Sequence, residues 1–363
     1  MLTRTGEIGP GVALLAAALL LASCDTEVAR EDARAVIWHA GPPLPAPVTN
    51  NAVAAVELDG SIVVFSFLGL DASKTWSGVT NAAHRWDVGT DSWTPIDPVP
   101  GPSRLASTAQ VVAGLIYVIG GYTVAADGAE RSLPNVDVYD PMSGRWSRAA
   151  DIPIPTDDAV AGVWADSLIV LVSGWHDTDN VADVQIVDPA ANRWAASTPI
   201  PGVPVFGHTG GVAGDVVVYV DGTAVVDAEP RFALDRHSWA GRLLGAQVDW
   251  GEVVAHPGAA FYRAAGGTVA SSVVFIGGSE NPYNYDGVGY DGVPSQPIRQ
   301  VLSYWPLTGE WRQLPAPPIA SMDHRNLGVA GGSVFLVGGM HEDQVVTDNV
   351  WYTTVSALLT RVF

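Results

Sequence analysis

The chain has 363 residues and a formal charge of −20, from 38 acidic against 18 basic side chains. That balance, with a single lysine at Lys74, argues against nucleic acid and anionic lipid surfaces as partners. One cysteine, Cys24, rules out a disulfide framework, and 39 glycines with 26 prolines and only 15% charged residues predict a turn-rich all-β domain.

The chain opens on a polar stretch, Met1 to Gly11, that carries Arg4, followed by an apolar run from Val12 to Leu21. Leu21-Ala22-Ser23-Cys24 comes next, and the whole resembles a bacterial lipoprotein signal cleaved before a cysteine that is then diacylated. The apolar run is short for a transmembrane helix, whereas two acyl chains suffice for stable anchoring. The expectation is a signal peptide over 1–23, a lipidated Cys24 with a polar tether over 24–34, and a folded domain over 35–363. The localisation implied is the bacterial cell envelope, with membrane contact through the lipid alone.

From residue 35 onward a phrase recurs: an apolar strand ending in a glycine pair, a loop, a second strand, a turn, and a tryptophan. One copy runs Ile116-Tyr117-Val118-Ile119-Gly120-Gly121, Val136-Asp137-Val138-Tyr139, Asp140 to Trp146; another runs Val274-Phe275-Ile276-Gly277-Gly278, Leu302-Ser303-Tyr304, Pro306 to Trp311. The repeat tryptophans are read as Trp38, Trp93, Trp146, Trp194, Trp239 and Trp311, at intervals of 55, 53, 48, 45 and 72 residues. Glycine pairs stand at Gly120-Gly121, Gly277-Gly278 and Gly338-Gly339, with degenerate versions at Ser173-Gly174, Asp221-Gly222 and Ser66-Phe67. Trp38 precedes every pair, and the last pair has no later tryptophan. A ring resolves this: Ala35-Val36-Ile37-Trp38 supplies the fourth strand of the last blade, which leaves no long open sheet edge. The predicted fold is an all-β, six-bladed propeller closed by an N-terminal strand joining the C-terminal blade.

Glycine pair, spaced aromatic and tryptophan resemble kelch repeats over residues 35 to about 356. Similar repeats occur in galactose oxidase, in bacterial sialic acid mutarotases and in many protein-binding domains. The absence of any cysteine beyond Cys24 removes the tyrosine–cysteine copper centre of galactose oxidase. The resemblance implies a ligand face around the central channel, where the loops between second and third strands converge.

Counting back from the glycine pairs puts Arg263 and His324 fourteen residues before, and Arg325 and His208 thirteen before. In protein-binding kelch domains an arginine near this position grips an acidic group, which the guanidinium fork suits. The alternative is a side chain satisfied by neighbouring carbonyls. Tyr122, Trp175, His176, Asp177, His341 and Glu342 form the opposite wall of the same mouth. Between them lies the most distinctive segment, Ser279 to Gly292, with Glu280, Asn281, Tyr283 and Tyr285 as candidate ligand contacts. Its amide and carboxylate oxygens could also hold Ca²⁺, although EF-hand spacing is missing, and its Asp-Gly and Asn-Pro steps are ordinary turn formers. No other cofactor is implied.

The leading expectation is a monomeric binding module for a glycan or protein ligand. A second is a sugar-processing enzyme similar to the sialic acid mutarotases, with Glu280 or His324 as acid/base beside Arg263 or Arg325. A third is a scaffold that uses the side of the propeller.

Overall fold

The computed structural model describes Met1 and residues 37–360. Cys24, the signal segment, the tether and Ala35-Val36 lie outside the described residues. From Ile37 onward the described residues make one compact unit. No helix among them is long and apolar enough to cross a membrane.

Six four-stranded antiparallel sheets form the blades of a ring. Blade 1 is Ala52–Leu58, Ser61–Leu70, Val79–Asp87 and Thr94–Ile96; blade 2 is Thr108–Val112, Leu115–Ile119, Val136–Asp140 and Arg145–Arg148. Blade 3 is Val160–Trp164, Leu168–Val172, Val184–Asp188 and Arg193–Ala196; blade 4 is Thr209–Ala213, Val216–Val220, Ser238–Leu244 and Gln247–Glu252. Blade 5 is Ala265–Val269, Ser272–Ile276, Val301–Trp305 and Glu310–Gln313. Blade 6 takes Gly328–Ala330, Ser333–Val337 and Val350–Thr354 from the C-terminal part and His39–Ala40 as its outer strand. His39 pairs with Tyr352 and Ala40 with Trp351. The closing strand therefore forms a step later than the Ala35–Trp38 reading, and Trp38 leads into it.

Second strands are apolar on both faces because each is sandwiched between neighbouring blades. Val216–Val220 and Leu168–Val172 lose exposure after their first residue. Among the described residues six core clusters sit one per blade junction, and two more lie among the loops, around Tyr262 and Tyr283 and around Leu105 and Tyr122. Phe65, Val118 and Tyr139 join blades 1 and 2, for example, and Val64, Trp86 and Phe335 join blades 1 and 6. Outer strands such as Arg145–Arg148 face solvent and alternate with charged residues.

Each outer strand also contributes one tryptophan whose indole N–H donates to a carbonyl at the end of the preceding blade. Trp93 bonds Pro42 at 3.0 Å, Trp146 bonds Asp97 at 2.9 Å, Trp194 bonds Ala150 at 2.9 Å, and Trp311 bonds Val254 at 2.7 Å. Trp38 bonds Pro315 at 2.8 Å, which carries the pattern through the junction of the two chain ends. In blade 4 the residue in this role is Trp250, which bonds Thr198 at 3.2 Å. Trp239, assigned to the repeat from sequence, instead sits on the third strand opposite Tyr219. Gln247–Glu252 is the longest of the outer strands, and Ser238–Leu244 is longer than the third strands of blades 2, 3, 5 and 6, which pushes the tryptophan downstream.

The glycine-pair position recurs in all six blades as two successive residues with positive φ. In blade 1 it is Leu68 (φ 62°) and Gly69 (φ 112°), where the ladder shifts register, rather than Ser66-Phe67. A Cβ on Gly174 would sit 2.5 Å from the Asp157 carbonyl, so the second position needs glycine. The first position is as tight in blades 2, 5 and 6, where a Cβ on Gly120, Gly277 or Gly338 would meet a backbone carbonyl at 2.1–2.4 Å, whereas Leu68, Ser173 and Asp221 occupy it in the other three.

Candidate functional site

First strands begin and second strands end at the same face of the ring. Ahead of each first strand, by two residues in blades 1 to 5 and by five in blade 6, one residue takes a left-handed conformation: Asn50, Ala106, Asp158, Gly207, Arg263 and Asp323, with φ between 50° and 63°. Hydrogen bonds link these positions from blade to blade around the axis. Gly207 N donates to Asp158 O at 3.0 Å, Arg263 N to Gly207 O at 2.8 Å, and Asn50 N to Asp323 O at 3.1 Å. Ala106 N uses the Asn50 side-chain oxygen at 2.6 Å, and His324 N bonds Arg263 O at 3.0 Å.

The side chains of this ring fill the axis. Arg263 Nη2 lies 2.6 Å from Asp158 Oδ2, and its Nη1 lies 3.3 Å from Asp323 Oδ1. Arg325 Nη2 lies 2.9 Å from Asp158 Oδ1 and 3.6 Å from Asp323 Oδ1. All four side chains are at most 4% exposed. Two guanidinium groups thus face two carboxylates, a neutral cluster in which each charge has a partner. The neighbouring Asp157 carboxyl is pushed well above the usual range by burial and by the charge of Asp158, and it takes a 2.5 Å hydrogen bond from Ser132 Oγ.

An aromatic layer roofs the cluster. The Arg263 guanidinium lies 4.8 Å from the Tyr262 ring centre and 5.4 Å from that of Tyr283, within cation–π range. Burial raises the pKa of both tyrosines well above the ordinary phenol value, so both stay neutral. Above them Phe206, Phe232, Tyr290 and Trp175 pack edge to face, with Phe232 and Tyr290 centred 4.3 Å apart. Trp175, Phe232 and Tyr290, from the loops of blades 3, 4 and 5, remain half-exposed. Arg231 stands over this platform, 5.4 Å from the Phe232 ring and 5.9 Å from Trp175.

The predicted site residues separate into a surface set and a buried set. Trp175, His176, Asn281 and Tyr285 are half-exposed, and Glu280 is exposed. Arg263, Tyr283, Tyr122, His208 and His324 are buried. Arg263 and Arg325 come together, and the carboxylates they hold are the chain's own Asp158 and Asp323. His324 is not the counterpart of Arg263; Asp323 is, because the first hairpin of blade 6 is one residue longer. The His324 Nε2 is taken by Ser321 Oγ at 2.6 Å, and burial pushes its pKa down to about 3, the charges of His341 and Arg325 adding to the shift. His208 Nε2 donates to Val172 O at 2.9 Å, and its pKa is lowered by burial to about 4.

The Ser279–Gly292 segment is internally bonded. Asn284 N donates to Val288 O at 3.0 Å and Gly289 N to Val293 O at 2.8 Å, while Asp286 and Asp291 each accept from a backbone N–H two residues ahead at 2.9 Å. Asp286 and Asp291 are therefore engaged as turn caps, while Glu280 is exposed, and no group of three His, Asp, Glu or Cys side chains able to hold a metal ion occurs among the described residues. Sequence reasoning missed Asp158, Asp323, Phe232, Tyr290 and Arg231. Aligning left-handed positions, rather than counting from the glycines, would have set Asp158 and Arg263 in register and exposed their opposite charges.

The Kelch motif family model matches residues 103–153, which enclose blade 2. Kelch-like protein terF of Aspergillus terreus is 31% identical over 138 residues, 37% of this chain and 29% of the relative. Beta-scruin of Limulus polyphemus is 27% identical over 152 residues, 41% of this chain and 16% of the relative. A solved structure titled "Structure of YjhT" matches with a TM-score of 0.67 at 16% identity, covering 85% of this chain and 95% of that one. The chain is a kelch-repeat β-propeller. It spans less than a third of the length of these curated relatives, and the likeness to the solved structure is one of fold.

Proposed function

We propose that this kelch propeller is an extracytoplasmic binding module, held at the membrane through Cys24, that receives a glycan or protein ligand on its loop-bearing face. The observation that carries the reading is the half-exposed platform of Trp175, Phe232 and Tyr290, contributed by three blades over a filled axis. Half-exposed aromatic rings offer large contact area at low entropic cost, and Trp, Tyr and Arg dominate binding energy where they cluster. With the axial arginines engaged by Asp158 and Asp323, a guest rests on the cap instead of entering the channel. His341, Glu280 and His176 stand at the edge of that face as polar contacts.

A glycan array at neutral pH, with and without Ca²⁺, run beside cross-linking of envelope proteins, tests the reading. Wild type should give saturable binding that the W175A/Y290A double variant loses while keeping the native circular dichroism spectrum at the assay temperature. Retention of binding by that variant would remove the platform from consideration. In the same preparations, Cys24→Ala should move the protein from the membrane to the soluble fraction; equal membrane retention would sink the anchor.

A further inference from the structure

The loops of blades 5 and 6 that flank the platform are joined into one surface. Asp343 N donates to Gln296 Oε1 at 3.1 Å, and Gln344 Nε2 donates to Ser295 O at 2.6 Å. A Cβ on Gly287 would meet the Gln344 side chain at 2.6 Å, so the two loops touch without a gap there. Val288 bridges to Pro294, and Val345 directly follows Gln344, which sets three valines on adjoining turns. Val288, Val293 and Val345 are 37%, 56% and 58% exposed. Exposed apolar side chains on adjoining, ordered turns leave apolar surface that a partner could remove from water.

The charge carried by these two loops themselves has one sign. Glu280, Glu342 and Asp343 are exposed at the edges of the same loops. No lysine or arginine occurs from Ser279 to Ile298 or from Met340 to Thr354. We propose that this surface docks a basic protein segment whose apolar side chains cover the valines while its lysines or arginines meet the carboxylate rim. The proposal rests on the binding-module reading and names the class of partner for one part of that face.

Three physical arguments select this occupant. Valine offers no stacking face, so the surface is poorly suited to a sugar ring. A carboxylate rim is repelled by anionic lipid headgroups, which disfavours a membrane surface. The loops are also fixed before any partner arrives, through the internal hydrogen bonds given above and the fully buried anchor Tyr283. Little ordering entropy is then lost on docking, and the rim raises the encounter rate for a cationic chain in a salt-dependent way.

The test is fluorescence anisotropy with a labelled synthetic peptide of alternating lysine and leucine. Two controls replace lysine by glutamate, or leucine by serine. The lysine–leucine peptide should bind and weaken as NaCl is raised, and both controls should bind roughly tenfold or more weakly, as loss of charge or apolar complementarity predicts. E280Q/E342Q/D343N and V293S/V345S should each weaken the lysine–leucine peptide by a similar factor, with melting temperatures close to wild type. Absence of binding, equal binding by either variant, equal binding of the glutamate peptide, or loss only in W175A/Y290A would each overturn the assignment. An array ligand retained by E342Q/D343N, with the lysine–leucine peptide lost, would uphold both the wider binding reading and this surface; both lost together would overturn the separate assignment of this surface.

Discussion

Arg263 of blade 5 lies 2.6 Å from Asp158 of blade 3, both side chains only 2% exposed, so the axis is closed by an ion pair 105 residues long in sequence. A ligand-gripping arginine could be removed without unfolding the protein. This one cannot, because its loss leaves two carboxylates, Asp158 and Asp323, facing Arg325 alone. Breaking a buried pair costs about 3–5 kcal/mol. Arg263→Ala should therefore lower the denaturant midpoint substantially, and a matched apolar pair, R263M/D158L, should recover much of that loss. A midpoint for Arg263→Ala indistinguishable from wild type would return this arginine to the role of a free ligand contact.

Trp38 ties the two ends of the chain together. It is 4% exposed, packs among the residues joining blades 5 and 6, and bonds the Pro315 carbonyl at 2.8 Å. Trp38→Ala should cost about 3–5 kcal/mol, as large core truncations do. Trp38→Phe keeps part of the packing and gives up the hydrogen bond, so it should cost less, the bond itself being worth about 1 kcal/mol. Equal midpoints for Trp38→Ala and wild type in chemical unfolding would mean that the ring does not depend on this closure.

The blade count was legible because glycine pairs and tryptophans mark fixed points of a repeated unit. The exceptions have physical causes. Leu68 (φ 62°) fills a left-handed position that only the following Gly69 needs as glycine, so blade 1 hid its pair. Trp250 escaped because the outer hairpin of blade 4 is extended. At the site, Arg263 and Arg325 stood out as basic residues at a recurring position, yet their partners come from other blades at a distance no periodicity encodes. Tyr283 was legible as part of the long loop, but its burial follows from the fold of that loop over Arg263.

Two buried histidines make the fold sensitive to acid. Burial lowers His208 to about 4 and His324 to about 3, against 6.5 in the unfolded chain. Neither has a buried acceptor awaiting a second proton: the His208 Nδ1 is buried without a partner, and His324 Nε2 already bonds Ser321. Since the folded values are lower, the unfolded state takes up protons first as pH falls. The stability they contribute is complete above about pH 6.5 and declines toward pH 4 and below, by up to about 1.4 kcal/mol per pH unit for each proton bound. His208→Gln should flatten part of this acid limb in unfolding curves taken from pH 7 to pH 4. An unchanged limb would exclude His208 as a source.

His256 works in the opposite direction. Its side chain and that of Asp221 are fully buried, with Nε2 2.8 Å from Asp221 Oδ2 and Nδ1 3.0 Å from the Pro257 carbonyl. Both ring nitrogens thus face acceptors, which only the charged imidazolium can satisfy. Burial alone would lower its pKa, and the nearby Arg236 pulls the same way. The hydrogen bond and charge of Asp221 outweigh both, and the pKa is raised above 6.5. The same carboxylate accepts from Phe261 N at 2.8 Å, so the pair fastens the strand entering blade 5 onto blade 4. A raised folded value means that the stabilisation is fully present below about pH 6.5 and is lost as pH rises through that higher value. Wild type should then lose stability as pH rises above about 6.5 in denaturant titrations, while His256→Gln should start lower and show a flatter curve over the same rise. Parallel curves for the two proteins would show that His256 is neutral in the folded state.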